Sequence, residues 1–457
     1  MESIWTKDIK IPEFPTVEQD MKVDVLVVGG GMCGLLAGHF LKEQGANYAV
    51  VEKDTIAGGV TQNTTAKITA YHGLSYHKRL SRFGKEKTAG YLLANEKALE
   101  MYRQLTKNIS CAFEEKDNYI YTMNDVGAVL SEIDAIAKIG GNVSYTEHVD
   151  IPLPAACGIR ARRQAQFHPL QFAAAIAEGQ NIYEHSFVSD VEKQSFGWQA
   201  FVINALGRDI KIHADRVIIA SHFPFIGRRG MYFMKMYQAR SYVLALSGWR
   251  KSSAQGVEGE EKGGKISGMY IGIGSEAENP LNLSFRTYGD YLLLGGGGGR
   301  TGTGHAAFEQ LRQQGKLLFP ESEEAFAWAA QDCMTLDEIP YVGNYSRKKD
   351  GLLVATGFNK WGMAGAMAAA MILTGKLDPA ITEVFAPQRT MLRPQLLVNG
   401  FETMKNFLRL TTPRCTHLGC ALKWNRAEKT WDCPCHGSRF SEDGKLIDNP
   451  AQMDLKK

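Results

Sequence analysis

The chain has 457 residues, 44% of them hydrophobic and 22% charged, which suits two or three globular domains. A formal net charge of +3 gives no bulk electrostatic case for binding nucleic acid or an acidic membrane. No stretch has the length and apolarity of a membrane span, and the opening MESIWTKDIKIPEFP lacks the features of a signal peptide, so a cytoplasmic protein is expected.

Residues 1–20 read as an irregular lead-in. Lys22–Val28 (KVDVLVV) is a near-continuous apolar run, as a buried parallel strand should be. Gly29, Gly31 and Gly34 then form G-x-G-x-x-G at the start of a helical pattern, Met32 to Gln44, that stops at Gly45. A second strand, Tyr48–Val51, ends at Glu52. The first glycine permits a tight turn, and the second lets the backbone approach a pyrophosphate seated on the positive end of the helix. The third lets helix and strand pack closely. Glu52 stands where a carboxylate binds the ribose hydroxyls of an adenosine. The motif alone does not separate FAD from NAD. Its position near the N-terminus, the Gly58-Gly59 pair, the polar run Thr61–Thr69 and a glycine-rich turn at Gly357–Gly365 favour FAD.

From about 80 to 330, helical segments mix with alternating strands such as Gly197–Leu206, which predicts an α+β region with an antiparallel component. Arg160, Arg162 and Arg163 read as a solvated face, His168 before Pro169 as structural, and residues 250–265 as an exposed loop or hairpin tip. A second formal G-x-G-x-x-G, Gly297–Gly302, follows the strand Tyr291–Leu294. It reads as a mobile glycine-rich turn and not a nucleotide site, because the glycines run together and LLFPESEEAFAWAAQ soon turns helical. A strand-turn-helix pattern returns at Leu352–Gly375, residues 381–412 read as a linker with some helix, and 413–457 form a metal-binding segment. Cys33, Cys111, Cys157 and Cys333 read as buried small apolar residues.

The metal-binding segment holds CTHLGC at 415–420 and CPCHGS at 433–438. Cys415, His417, Cys433 and His436 supply two thiolates and two imidazoles, the set that holds the two irons of a Rieske [2Fe-2S] cluster. Two Cys and two His also make a tetrahedral zinc site. Zinc, however, leaves Cys420 and Cys435 without a role.

The runs VDVLVVGGGMCG…VVEKD…GGVTQNTTAKIT, QFHPLQFAAAIAE, ADRVIIASHFPF and DEIPYVGNYS…GLLVATGFNKWGM resemble the D-amino-acid-oxidase-like family of FAD enzymes over about residues 20–380. The resemblance implies an α/β plus α+β fold. A Rossmann-like FAD-binding domain would come from about 21–80, 150–230 and 330–380, with an antiparallel-sheet substrate domain from the rest of 21–380. By the same resemblance Gly29, Gly31, Gly34, Glu52 and Lys53 meet the ADP part, and Val188 meets the adenine through its backbone. Thr65 and Lys67 lie near the isoalloxazine, and Gly357, Phe358, Gly362 and Met363 flank it from the other side. Lys67, His222 and Lys360 are the candidates for orienting substrate or tuning the flavin. No paired Arg and Tyr carboxylate clamp can be picked out.

Resemblance to Rieske proteins implies a disulfide between Cys420 and Cys435 that joins the two cluster loops. Ser438 stands where high-potential members place a sulfide-bonding serine. Phe440 replaces their tyrosine, which predicts a potential below the top of the Rieske range. The segment is short, so either its loops pack on the flavoprotein body or metal binding supplies much of its stability. The combination predicts a dehydrogenase. An amine or amino-acid-like substrate would reduce FAD, and electrons would leave singly through the cluster to an external acceptor. A reductase fed by NAD(P)H or through the cluster, and a non-enzymatic carrier or redox sensor, are the alternatives.

Overall fold

The protein is described here from a computed structural model, which covers residues 2–455 apart from 8, 227–228, 251–265, 275–280, 304–306, 348–349, 391–393 and 410–412. The loop expected at 250–265 therefore lies outside the described residues from 251 onward.

Among the described residues the strands form three sheets. The first has Met21–Val28 at its centre, buried along most of its length. This strand pairs in parallel with Tyr48–Val51 on one side and Asp209–Ile219 on the other. Leu352–Thr356 continues the parallel order, so the sheet draws on three separate stretches of chain. Its strands are valine- and isoleucine-rich because helices cover it. One of them, Met32–Glu43, leaves the Gly29–Gly34 turn, and Gly362–Leu373 packs against it.

The glycines of that turn are required by contact. Gly29 has φ +111°, and a Cβ there would meet the Ala220 carbonyl oxygen at 2.7 Å. A Cβ on Gly34 would lie 1.8 Å from the Gly29 carbonyl oxygen, so no other residue lets the helix start so close to the strand.

The second sheet runs Glu323–Thr335, Met236–Ser247, Tyr291–Arg300, Ser284–Tyr288, Met269–Ile273, Glu114–Thr122, Cys157–Gln166 and Lys67–Ile68, with Ser144–Thr146 beside Cys157–Gln166. Its pairings are antiparallel except Met269–Ile273 on Glu114–Thr122. Two sequence expectations are corrected here. Of the run Gly297–Gly302 read as a mobile turn, Gly297–Arg300 belong to the strand Tyr291–Arg300, and only Thr301 and Gly302 turn after it. Met236–Ser247 pairs with Gly295, Gly296 and Gly299 across a bulge at which Gly297 takes φ +68°, and a Cβ on Gly296 would lie 3.0 Å from the Leu281 carbonyl oxygen. The chain after it is helical only over Ala307–Leu318, and EEAFAWAAQ opens the long strand Glu323–Thr335. Its alanines suit a helix in isolation, but pairing along the whole of Met236–Ser247 overrides that preference.

The third sheet has four short antiparallel strands, Lys423–Asn425, Thr430–Asp432, Arg439–Ser441 and Leu446–Asp448. The loop 433–438 rests against the second sheet. Of the two possibilities left by the shortness of this segment, the structure shows packing on the body.

Candidate flavin cavity and cluster site

A cavity of about 1600 Å³ opens between the first two sheets. It exceeds the roughly 300–1,000 Å³ of an ordinary ligand pocket and has room for a dinucleotide with a substrate. Gly29, Gly31, Glu52, Lys53, Thr65 and Val188 all line it. Glu52 is oriented by two backbone N–H groups, those of Gly30 at 2.7 Å and Asp54 at 3.0 Å. Burial raises its carboxyl above the ordinary range, and these two donors oppose the rise. Lys53 pairs with Asp54 at 3.1 Å and stays half-exposed. Thr61 was not foreseen as a cap. Its hydroxyl accepts from Met32 N at 3.1 Å, at the start of the nucleotide helix. The signal was a threonine in the polar run that follows the acidic residue. The turn and helix start leave a cradle that side chains do not fill, which fits a bound pyrophosphate.

At the other end Phe358, Gly362 and Met363 line the cavity, whereas Gly357 does not. Gly357 is needed for packing: its φ is +72°, and a Cβ would lie 2.3 Å from Thr335 Cγ2. Lys67, His222 and Lys360 all reach the cavity wall. Lys67 Nζ donates to the Tyr270 carbonyl at 2.9 Å and to Ser284 Oγ at 3.0 Å. Burial, with Arg286 nearby, brings its ammonium down to about 7. The buried Arg286 was missed in the sequence. It donates to the carbonyls of Thr65 at 2.7 Å and Ala66 at 3.0 Å and so fixes the segment that carries Lys67. His222 has φ +65°, burial lowers its ring pKa, and its Nε2 lies 3.1 Å from Gln238 Oε1. Lys360 Nζ sits 3.3 Å from Asp332 on a more open part of the wall.

Other expectations resolve simply. His168 caps the helix Pro169–Ala177, its Nδ1 accepting from Gln171 N at 3.2 Å. Cys33, Cys111, Cys157 and Cys333 are all buried thiols, and desolvation pushes Cys33 and Cys333 up to about 12. Arg160 and Arg163 pair with Asp117 and Glu115 near the surface.

In the cluster segment the rings of His417 and His436 stand perpendicular, their centroids 5.0 Å apart. Each has a buried Nδ1 with no hydrogen-bond partner, as a nitrogen kept for a metal would. Burial lowers His417 to about 4 and His436 to about 3, so both are neutral, the form that ligates iron. The sulfurs of Cys420, Cys433 and Cys435 lie within 4.8 Å of one another, and the Cys415 and Cys433 thiols are hydrogen-bonded. The expected Cys420–Cys435 disulfide is not formed in the structure. The two side chains nevertheless meet, within reach of one another and of Cys433. This crowd of thiols and orphaned imidazoles suits an iron–sulfur cluster.

The loop 433–438 is held by side chains of the second sheet. Gln238 Nε2 donates to the carbonyls of His436 at 3.0 Å and Asn449 at 2.7 Å. Gln331 Nε2 donates to the Gly437 carbonyl at 2.9 Å, and Arg300 donates to those of Pro434 and Cys435 at 2.8 Å each. Gly437 lies so close to Gln238 that a Cβ would be 2.5 Å from the Gln238 Cβ. Arg240 forms a two-pronged pair with Glu428, which also accepts from Arg439 at 3.0 Å. Arg439 reaches Asp432 and Asp448 at 3.0 Å each, closing a buried network across the joint. Asp448 and Asn449 line the same cavity as Glu52 and Lys67, so the cluster segment forms part of its wall. Sequence reading missed these anchors. Their trace was Gln238 and Arg240, two polar residues at i and i+2 in an otherwise largely apolar strand.

The FAD dependent oxidoreductase family model matches residues 24–375, and the Rieske [2Fe-2S] domain model matches 386–457, beginning inside the stretch read as a linker. A Bacillus subtilis protein described as the putative Rieske 2Fe-2S iron-sulfur protein YhfW is 31% identical, covering 100% of this chain and 97% of its own length. Among solved structures, glycine oxidase from Geobacillus kaustophilus superimposes with a TM-score of 0.62 at 18% identity, covering 81% of this chain and 99% of that one. L-proline dehydrogenase from P. horikoshii gives 0.64 at 16% identity, covering 81% and 98%. At such identities the two structures speak for the fold. The chain belongs to the D-amino-acid-oxidase-like FAD-dependent oxidoreductases, and it carries a C-terminal Rieske domain that binds a [2Fe-2S] cluster.

Proposed function

We propose that this oxidoreductase is a dehydrogenase of an amine or amino-acid-like substrate, and that its electrons leave one at a time through the Rieske cluster to an external acceptor. One observation carries this reading. Gln238 is in hydrogen-bond contact with His222 on the cavity wall and with the backbone of His436 in the cluster loop. A side chain shared between a residue of the cavity wall and the cluster loop suits the two sites to direct exchange. Bound FAD supplies a hydride acceptor, and the cluster supplies a one-electron outlet.

Gly29, Gly31, Glu52, Lys53 and Val188 are assigned to the ADP part of FAD, with Gly34 supporting the turn. Thr65, Phe358, Gly362 and Met363 are assigned to the flavin end, with Gly357 shaping the turn before it. Cys415 and Cys433 are assigned to one iron, His417 and His436 to the other, and Cys420 with Cys435 to a disulfide between the loops in the oxidised protein. Lys67 is assigned the proton of the substrate. With its ammonium lowered to about 7, it takes a proton from a protonated amine near neutrality. The amine C–H then leaves as a hydride, and the product is an imine.

The arginines that the second sheet brings to this region are already committed. Arg286 holds the Thr65 and Ala66 carbonyls, Arg240 holds Glu428, and Arg300 holds the cluster loop. Recognition centred on the amine fits this wall better than an arginine clamp on a carboxylate. Stopped-flow mixing of the anaerobic holoprotein with a panel of amines and amino acids tests the reading. An active substrate bleaches the flavin and then brings up the reduced-cluster EPR signal. Bleaching by NADH or NADPH, with no response to any amine, would show a reductase instead.

A further inference from the structure

The helix Pro394–Phe407 is mounted with its polarity inverted. Leu397, Phe401, Met404 and, just past its end, Leu408 follow one another at i, i+4, i+7 and i+11. This stripe faces solvent: Leu397 is 78% exposed, Phe401 59% and Leu408 68%. The side facing the protein is polar. Asn399 and Asn406 are buried, Arg300 donates to Asn399 Oδ1 at 2.8 Å, and Ala421 N donates to the Asn406 carbonyl at 2.9 Å. A surface helix of a globular domain ordinarily buries its apolar stripe and exposes its polar one. A contiguous exposed apolar patch marks a place where something docks.

The charge around the stripe says what docks. Lys405 on the helix, Arg409 just after it and Lys423 on the first strand of the cluster domain share one edge. Burial first, then Arg409, hold the Lys423 ammonium below its usual range, Glu402 opposing and Lys405 adding to the fall, so the three cations lie near one another with one acid among them. The helix carries one acid, Glu402, which lies 3.8 Å from Lys405. The small net charge of the whole chain conceals this local concentration. Apolar side chains edged by cations complement a bilayer of anionic lipids, with acyl chains for the stripe and head groups for the cations. A second copy packed on the same face would bring like cations together across a two-fold axis.

We propose that the Pro394–Phe407 helix docks this protein onto an anionic lipid bilayer, lying in the interface with Leu397, Phe401, Met404 and Leu408 among the acyl chains. The helix touches the first cluster loop. Phe407 packs near Gly419, and Arg414 donates to the carbonyls of both Phe407, at 3.1 Å, and Gly419, at 2.7 Å. Docking therefore holds the loop that carries His417 close to the lipid surface, where a lipid-soluble electron acceptor is met. That consequence rests on the electron path proposed above; the docking itself does not.

Co-sedimentation of the holoprotein with vesicles tests the docking, with light scattering to give its mass. The holoprotein binds vesicles of equal parts phosphatidylglycerol and phosphatidylcholine, binds phosphatidylcholine alone much less, and releases as salt rises. The L397E/F401E double variant keeps the flavin and cluster spectra and binds at least tenfold more weakly. The K405Q/K423Q variant loses only the preference for phosphatidylglycerol. Absence of binding to the anionic vesicles at low salt overturns the proposal. So does a wild-type dimer that L397E/F401E converts to monomer, since a second copy would then be what covers the stripe.

Discussion

Lys67 is where a single residue most affects the chemistry. Its two acceptors take two of its three N–H groups, it lines the cavity, and its lowered ammonium makes it half-neutral near pH 7. The base form grows as pH rises, so the rate of flavin reduction by substrate should climb through about pH 7 and then level. Lys67→Met should lower that rate by roughly 10²–10⁴-fold and remove the rising limb, while the flavin spectrum is kept. A Lys67→Met protein with the wild-type pH profile would take the base role away from this residue. Phe440 bears on the other cofactor. It is fully buried beside the cluster cysteines, where the high-potential tyrosine hydroxyl would act. Phe440→Tyr should add one hydrogen bond to a ligand sulfur, about 1 kcal/mol, or roughly 40 mV for one electron. A redox titration followed by EPR should show the midpoint rise.

The elements that define the nucleotide site were legible in the sequence, and those that join it to the cluster were not. Met21–Val28, the glycine turn, Met32–Glu43 and Glu52 could be read because one local stretch meets every need of the motif. The run Gly297–Gly302 looked like a turn because glycine has no side chain to show a period, and only pairing with Met236–Ser247 carries its first half into a strand. The alanine-rich Glu323–Thr335 failed because its residues favour a helix in isolation, and only pairing along Met236–Ser247 makes it a strand. Gln238, Gln331, Arg240 and Arg300 lie far in sequence from the loops they hold, so no spacing rule joins them to Cys433–Ser438. The joint they make predicts two outcomes. Gln238→Leu should slow electron passage from reduced flavin to the cluster while leaving both absorption spectra in place, as stopped-flow would show. Glu428→Leu should leave Arg240 and Arg439 buried without their shared partner, at a cost of roughly 3–5 kcal/mol. In a denaturant titration the cluster signal should then be lost well before the flavin.

At the scale of the whole molecule, the third sheet is small but is not left to stand alone. Arginine and glutamine side chains of the second sheet satisfy the carbonyls of the cluster loop, and the cluster segment in turn supplies Asp448 and Asn449 to the wall of the flavin cavity. The two cofactor sites thus share a boundary. The presence of both cofactors was plain from motifs, because ligand spacing and glycine spacing are local. Their adjacency was not, because it depends on a fold that brings residue 238 against residue 436. That adjacency is the basis of the central claim, that electrons entering at the flavin leave through the cluster. Anaerobic photoreduction of the flavin in the holoprotein, sampled by EPR, tests it without knowledge of the substrate. The rhombic signal of a reduced Rieske cluster should grow as the flavin band bleaches. A fully bleached flavin beside a cluster that stays oxidised and EPR-silent would contradict the claim.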